Sequence, residues 1–324
     1  MKRVKNFLKR IIQIAGGCLG FLFSFLDKNK KRKVVVFFCN ISFKLGGRYY
    51  FWFYEFLKQM MCVMFRDDYE ENWVKKRLKT GGVIDVDLSR VNQRNIYSHK
   101  LYEINISNFF LNNIKKGDTF FDIGSNVGYF SILLSPLVGK EGKIFAFEPE
   151  KNNFNFLVKN VNENIFLNIF AINKGVGNKN EKLTLYLHPL NNGGHSFIEF
   201  KFYKFGDLKF DKDKFNDKKL LQKIDVLKID DFAVENNIDR VDFMKIDIEG
   251  YELDALKGME NLLKRKKILN IVCEVNNNET RLDVFKFMNS LGYTIYRLDV
   301  NGVKSKLDIH QKMSKGDVLF SLEK

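Results

Sequence analysis

Three prolines, four histidines and four cysteines in 324 residues leave little material for several kinds of protein. With so few prolines, 45% hydrophobic residues and 33 phenylalanines, the chain reads as folded and globular rather than disordered. The cysteines stand at 18, 39, 62 and 273 without any C-x-x-C pair, which excludes a zinc ribbon or a disulfide scaffold and makes a reducing cytosol the expected setting. No internal repeat is visible, so a solenoid is excluded. Acidic residues are also short, 39 against 54 basic ones, for a net charge of +15. The excess is local: residues 1–33 hold ten Lys or Arg against the single acid Asp27, or +9, leaving +6 for the rest. A nucleic-acid-binding surface spread over the fold is therefore not indicated.

The chain also lacks an uninterrupted apolar run of the roughly 20 residues needed to span a bilayer. Ile11 to Leu26 supplies sixteen, broken by Gln13 and three glycines, with basic sequence on both sides and no small-residue cleavage site behind it. Two readings stay open for residues 1–33: a segment lying on an anionic inner leaflet, or a helix docked on the rest of the protein with its lysines in solvent. A second apolar stretch, Tyr49 to Phe65, reads as a core or interface helix. Residues 34–95 are thus expected to form a helical extension, and 96–324 the catalytic domain.

From Lys116 onward, short apolar runs alternate with amphipathic segments. "DTFFDIG", "KIFAFEPE" and "IFLNIFAIN" read as buried strands, separated by helices over "YFSILLSPLVG" and "KNNFNFLVKNVNEN". This is the pattern of a doubly wound α/β sheet, with ligands at the carboxyl ends of its strands. "KLTLYLHP" and "FIEFKFYKF", flanking "LNNGGHS", predict a hairpin, and the charged residues 204–223 an exposed loop. Alternation resumes with the strand "VDFMKIDIEG", one helix over "YELDALKGMENLLK", the strand "ILNIVCEV", the helix "TRLDVFKFMNSLG" and the strands "YTIYRL" and "DVLFSL".

The turn after the first strand, "DIGSNVG", sets Gly124 and Gly128 where a sharp bend or a close ligand needs them, at the start of a helix whose N-terminus favours an anion. Asp122 can meet an ammonium group there. Glu148, 20 residues past Gly128 at the next strand end, stands where a carboxylate takes a ribose diol. The G-x-G-x-x-G of a dinucleotide site is missing, so a nucleoside carrying an amino acid fits this set better.

Through "YEINISNFFLNNIKKGDTFFDIGSNVGYFS", "GKIFAFEP", "NKGVGNKNEKLTLYL", "LKIDDF" and "DFMKIDIEGYELDALKGM", the chain from about Tyr102 to Leu322 resembles FkbM-type S-adenosylmethionine-dependent methyltransferases. The resemblance implies a class I methyltransferase fold: a Rossmann-like, seven-stranded, mostly parallel sheet with helices on both faces, closing in an antiparallel strand pair. It implies that Asp122, Gly124, Ser125, Asn126 and Gly128 line the methionine part of the donor, that Glu148 takes the ribose, and that Ala171, Ile172 and Asn173 lie near the adenine. Asp247 and Glu249, in "KIDIEGYE", would stand beside the transferred methyl. The family pattern does not explain the N-terminal extension or the charged insert at 204–223.

A hydroxyl acceptor must lose a proton, and the candidate bases are Asp247, Glu249 and His195. Asp247 and Glu249 share a face if the strand runs through them; as a plain strand end they would instead favour the next helix N-terminus. His195 sits in a Gly-rich turn and is either a mobile base or a solvent-exposed ring. Two carboxylates do not by themselves indicate a metal, although a divalent cation there could orient a diol. The expected reaction is O-methylation of a sugar hydroxyl in a glycan or glycolipid precursor, on the cytoplasmic side and peripheral to the membrane. The alternatives are an RNA, lipid or small-metabolite methyltransferase and a donor-binding scaffold without turnover. RNA is disfavoured because "KIDIEGYE" lacks an aromatic platform for a base.

Overall fold

The computed structural model describes residues 2–27, 30–38 apart from 32 and 36, Phe56, Met60, 73–88, 90–165, 168–188, 193–199, 202–205, 208–211, 220–275, 278–307 and 316–322. Most of the Tyr49 to Phe65 stretch and His310 lie outside them. The chain divides into two compact units: residues 1–79 with 85–102, and residues 80–84 with 103–324.

The smaller unit begins with a helix, α1 (Lys2–Ser24). Leu19 and Phe23 of α1 pack with Val34, Phe38, Phe56, Val74 and Tyr97 around buried Val35, Met60 and Leu88. The extension is not wholly helical, since the strands β1 (Trp73–Arg77) and β2 (Val83–Asp87) precede α2 (Val91–Ser98). Among the described residues, no helix is long and apolar enough to cross a membrane.

The larger unit opens with α3 (Ile104–Asn113) and then alternates: β3 (Thr119–Ile123), α4 (Tyr129–Val138), β4 (Lys143–Phe147), α5 (Lys151–Asn162) and β5 (Ile169–Ile172). A three-stranded sheet follows from β6 (Gly175–Val176), β7 (Glu181–Tyr186) and β10 (Leu221–Leu227), with β8 (Phe202–Phe205) and β9 (Leu208–Asp211) paired between them. After α6 (Ile229–Glu235) come β11 (Val241–Ile246), α7 (Glu252–Lys257), α8 (Glu260–Lys264), β12 (Ile268–Glu274), α9 (Asn278–Ser290), β13 (Thr294–Leu298), β14 (Lys304–Lys306) and β15 (Asp317–Ser321).

The main sheet has the order β14-β13-β15-β12-β11-β3-β4-β5. From β12 to β5 every pairing is parallel, while β15 runs antiparallel to both neighbours. Because side chains alternate along a strand, Phe120 and Phe121 serve opposite faces. Phe120 meets Phe110, which also touches Phe130 and Phe243; Phe121 joins Phe145 and Phe147 around Phe232 of α6. Helices on both faces therefore bury strands that read as continuous apolar runs.

Four expectations about the larger unit are corrected. The sheet has eight strands rather than seven, β14 being an added edge strand on β13. The expected hairpin is replaced: β7 pairs with β10, and among the described residues an isolated bridge, Tyr186 to Ser196, is what joins it to the segment after the Gly-rich turn. Residues 208–211 and 221–223 are strand, not loop, whereas 212–219 lie outside the described residues. The single helix expected over residues 251–264 also breaks at Gly258, where a Cβ would stand 1.9 Å from the Gly177 carbonyl oxygen.

Candidate active site

The strand ends of the main sheet build the site in two halves. In the first, the chain leaves β3 through Gly124 (φ +81°), Asn126 (φ +50°) and Gly128 (φ +88°), left-handed conformations that glycine and asparagine adopt most readily. The Gly124 and Ser125 amides both donate to the Phe147 carbonyl at 3.0 Å, latching the loop to the end of β4. Asn160 holds the loop from α5 by donating to the Val127 carbonyl at 2.9 Å. Asp122 is 1% exposed, and its Oδ2 accepts from the Ser131 amide and hydroxyl, bracing the start of α4.

Glu148 stands at the end of β4, buried, with Oε2 accepting from the Asn126 amide at 2.8 Å and Oε1 from the Glu150 amide at 2.9 Å. Burial pushes its pKa up to about 8 against the pull of those amides. Asn173 donates to the Glu148 and Pro149 carbonyls, joining the end of β5 to the same corner as Ala171 and Ile172. The Ser125 Oγ is buried with no hydrogen-bond partner among the described residues. A buried hydroxyl, a bent loop over a helix start and a carboxylate 20 residues on fit a nucleoside bearing an amino acid.

In the second half, register brings acids from three strands to one rim. Ile246 pairs with Ile123 and with Cys273, and Glu274 pairs with Asp317. Asp247 therefore follows β11 between the Gly124 loop and Glu274, with Asp317 beyond. Carboxylate oxygens of Asp247, Glu249 and Glu274 lie within 4.8 Å of one another. Three such groups match the oxygen chemistry a divalent cation uses, and they are the described residues that could hold one. Glu249 has φ +51°, and the preceding turn is fixed by Ser196, whose hydroxyl donates to the Glu249 carbonyl at 2.8 Å.

Beneath this rim lies Lys245, 4% exposed, with Nζ 2.7 Å from Asp247 Oδ2, 3.6 Å from Glu103 Oε2 and 5.2 Å from the Phe130 ring centroid. Burial alone would lower its pKa, yet Asp247, Glu103 and Asp317 hold it well above the ordinary lysine value. Burial likewise works to raise Asp247, but the Lys245 charge and hydrogen bonds from Glu274 and Lys245 keep it below the ordinary carboxylate value. Burial and repulsion from Asp247 and Glu249 push Glu274 up, so it carries a proton and donates to Asp247.

The structure thus brings Asp247 and Glu249 together beside the glycine loop. It adds Glu274, Lys245, Asp317 and Glu103, which sequence reasoning missed. For Lys245, Glu274 and Asp317 the signal was a charge inside or at the end of an otherwise apolar strand, in "DFMKID", "IVCEV" and "GDVLF"; Glu103, at the N-terminal cap of α3, carried no such signal. His195 lies in the segment that touches the Glu249 turn through Ser196. Its Nδ1 accepts from the His188 amide at 2.9 Å, which leaves the neutral ring with its proton on Nε2.

A central strand flanked by parallel neighbours on both sides, with one reversed strand inserted near one edge and glycines after the first strand, defines a class I methyltransferase fold. The chain belongs to the FkbM methyltransferase family: the methyltransferase FkbM domain matches residues 122–295, more than half of its length. It is 28% identical over 146 residues to "Methyltransferase 1" of Beauveria bassiana, a match covering 43% of this chain and 57% of that protein. It is 22% identical over 188 residues to the hexuronic acid methyltransferase AglP of Haloferax volcanii, covering 58% and 68%. The chain therefore spans less than two thirds of the first of these relatives. The crystal structure of a methyltransferase FkbM from Methylobacillus flagellatus KT is similar with a TM-score of 0.42 and 16% identity, covering 88% of this chain and 57% of that one.

Proposed function

We propose that the protein is an S-adenosylmethionine-dependent O-methyltransferase acting on a sugar hydroxyl of a glycan or glycolipid precursor. The observation that carries this reading is the cluster of Asp247, Glu249 and Glu274 carboxylates directly beside the Gly124 loop. When bound, S-adenosylmethionine would supply a methyl group on a sulfonium, which passes to the acceptor oxygen while the C–S electron pair returns to sulfur and a neutral thioether leaves. Gly124, Ser125, Asn126 and Gly128 hold its amino-acid part, with Asp122 bracing the loop, and Glu148 takes the ribose diol beside Ala171, Ile172 and Asn173.

In transfer, the acceptor O–H loses its proton as the new O–C bond forms and the C–S bond breaks. Asp247 is the ionised acceptor at this rim and takes the proton, while protonated Glu274 holds it in place and Glu249 receives a neighbouring hydroxyl. His195, whose Nδ1 accepts from the His188 amide, is not assigned the proton in this reading. Catalysis then rests on alignment of two bound groups and on one positioned carboxylate.

The relative from Haloferax volcanii is named for a hexuronic acid, which supports a sugar as the acceptor class. The rim departs from what a uronate needs. Asp247, Glu249 and Asp317 face it, and the buried cation beneath it, Lys245, already meets Asp247 and Glu103. A neutral sugar finds hydrogen-bond acceptors there; a uronate finds like charge.

Incubation with methyl-labelled donor and separate pools of neutral glycans, hexuronates, lipids and RNA tests the reading. Label on a sugar, in the neutral glycan pool or on a glycolipid headgroup, is the expected result; label confined to RNA or to lipid that carries no sugar, or donor binding with no transfer, overturns it. A second reading has specific support in the three-carboxylate spacing: a divalent cation there orients the diol. Transfer that a chelator abolishes and magnesium restores would assign the cluster to that role.

A further inference from the structure

The helix α1 carries apolar side chains on two faces. Leu19 and Phe23 turn onto the core of the smaller unit, and Gly20 lies so close to Met60 that a Cβ would sit 2.3 Å from its carbonyl oxygen. On the opposite side the described side chains are exposed. Ile11 is 46% exposed, Ile14 65%, Phe21 58%, Leu22 64% and Phe25, just past the helix end, 76%. These positions recur at helical spacing as one stripe, with exposed Cys18 between them and the rings of Phe21 and Phe25 edge to face at 5.2 Å.

The charges beside the stripe say what covers it. Residues 1–33 carry ten Lys or Arg, at both ends of the apolar segment, and the single acid, Asp27, is paired with Lys30 at 3.0 Å. A second copy of the chain would bring two such basic segments against each other across a two-fold interface, where like charges repel. An anionic lipid surface meets both features: headgroups take the cations while the acyl boundary takes the apolar side chains. Among the described residues no helix is long and apolar enough to cross a bilayer, and the apolar run is shorter than a span needs.

We propose that α1 lies in the plane of an anionic bilayer, with Ile11, Ile14, Phe21, Leu22 and Phe25 at the acyl boundary and the basic segments on either side among the headgroups. The proposal rests on α1 alone and does not depend on the methyl acceptor.

The test is sedimentation of the full chain with vesicles of phosphatidylcholine alone or mixed with phosphatidylglycerol. Binding to the mixed vesicles is expected, with weak binding to phosphatidylcholine and a decline as salt is raised. Phe21→Glu with Phe25→Glu is expected to weaken partitioning at least about tenfold, and Lys31→Glu with Lys33→Glu by about tenfold or more. Both variants should keep the circular dichroism and donor affinity of the parent, which separates lost docking from lost folding. Absence of binding to either vesicle overturns the proposal, as does binding that the double phenylalanine variant retains. A dimer in solution that Phe21→Glu dissociates, with no vesicle binding, assigns the stripe to a second copy and overturns it equally.

Discussion

On the proposed reading, Glu148 ties donor binding to pH. Burial raises its pKa from 4.5 to about 8, so the unliganded fold holds this proton more tightly than the unfolded chain does. Its stabilising contribution is complete below about pH 4.5 and is lost as pH rises through about 8. Thermal unfolding without donor is therefore expected at lower temperature at pH 8 than at pH 5.5, and Glu148→Gln should flatten that slope. A ribose diol donates to the ionised carboxylate, so donor binding should release a proton near pH 7, visible as a buffer-dependent heat in calorimetry. The same substitution should weaken donor affinity by roughly 10- to 100-fold, the loss of a charged hydrogen bond.

The acids of the rim separate binding from chemistry. Asp247→Asn is expected to lower kcat by about 10²- to 10⁴-fold while donor affinity changes little, because the substitution keeps the shape and removes the proton acceptor. Single-turnover transfer and equilibrium donor binding, measured on one preparation, check this. Asp247 and Glu249 were legible in the sequence because they share one motif. Glu274 and Asp317 were not, since each stands alone in its strand and only the register of β12 with β11 and of β15 with β12 brings them to the rim.

At the scale of elements, glycines fix what may pack. A Cβ on Gly128 would lie 2.6 Å from Leu157 Cδ1 in a backbone at φ +88°, so Gly128→Ala should strain the start of α4 and weaken donor binding. Gly258→Ala would drive its methyl into the Gly177 backbone, which cannot move aside as a side chain can. It is expected to lower thermal stability by about 1 to 3 kcal/mol, read from denaturant unfolding. The sequence showed the strands of the main sheet well, because burial on both faces makes them continuous apolar runs. It misled where pairing is distant: β7 alternates like a hairpin strand, yet its partner β10 begins at Leu221, beyond β8 and β9. Local alternation records which face is buried and not which strand lies alongside. The break at Gly258 was hidden because the apolar spacing of Leu253, Leu256, Met259 and Leu263 continues through it.

At the scale of the whole molecule, the division is one of charge as well as contact. The first 33 residues hold +9 of the +15, and they belong to the smaller unit, while the larger unit holds both halves of the site. Charge reversal at Lys31 and Lys33 is accordingly expected to leave methyl transfer to a water-soluble acceptor unchanged, as an initial-rate assay without vesicles would show. On the proposed reading, the donor half of the site is drawn from residues 122–173 and the acceptor half from 247–317, blocks that follow one another in the chain. Such an arrangement lets the second block change its acceptor while the first stays as it is.

Gly124 limits that freedom. A Cβ there would stand 1.9 Å from the Asp247 carbonyl oxygen, so the loop that receives the donor and the strand end that receives the acceptor meet backbone to backbone. Any lineage that altered the acceptor side would have to carry this contact through unchanged. On the proposed reading, the absent side chain at position 124 is thus a boundary condition that the two halves of the site share.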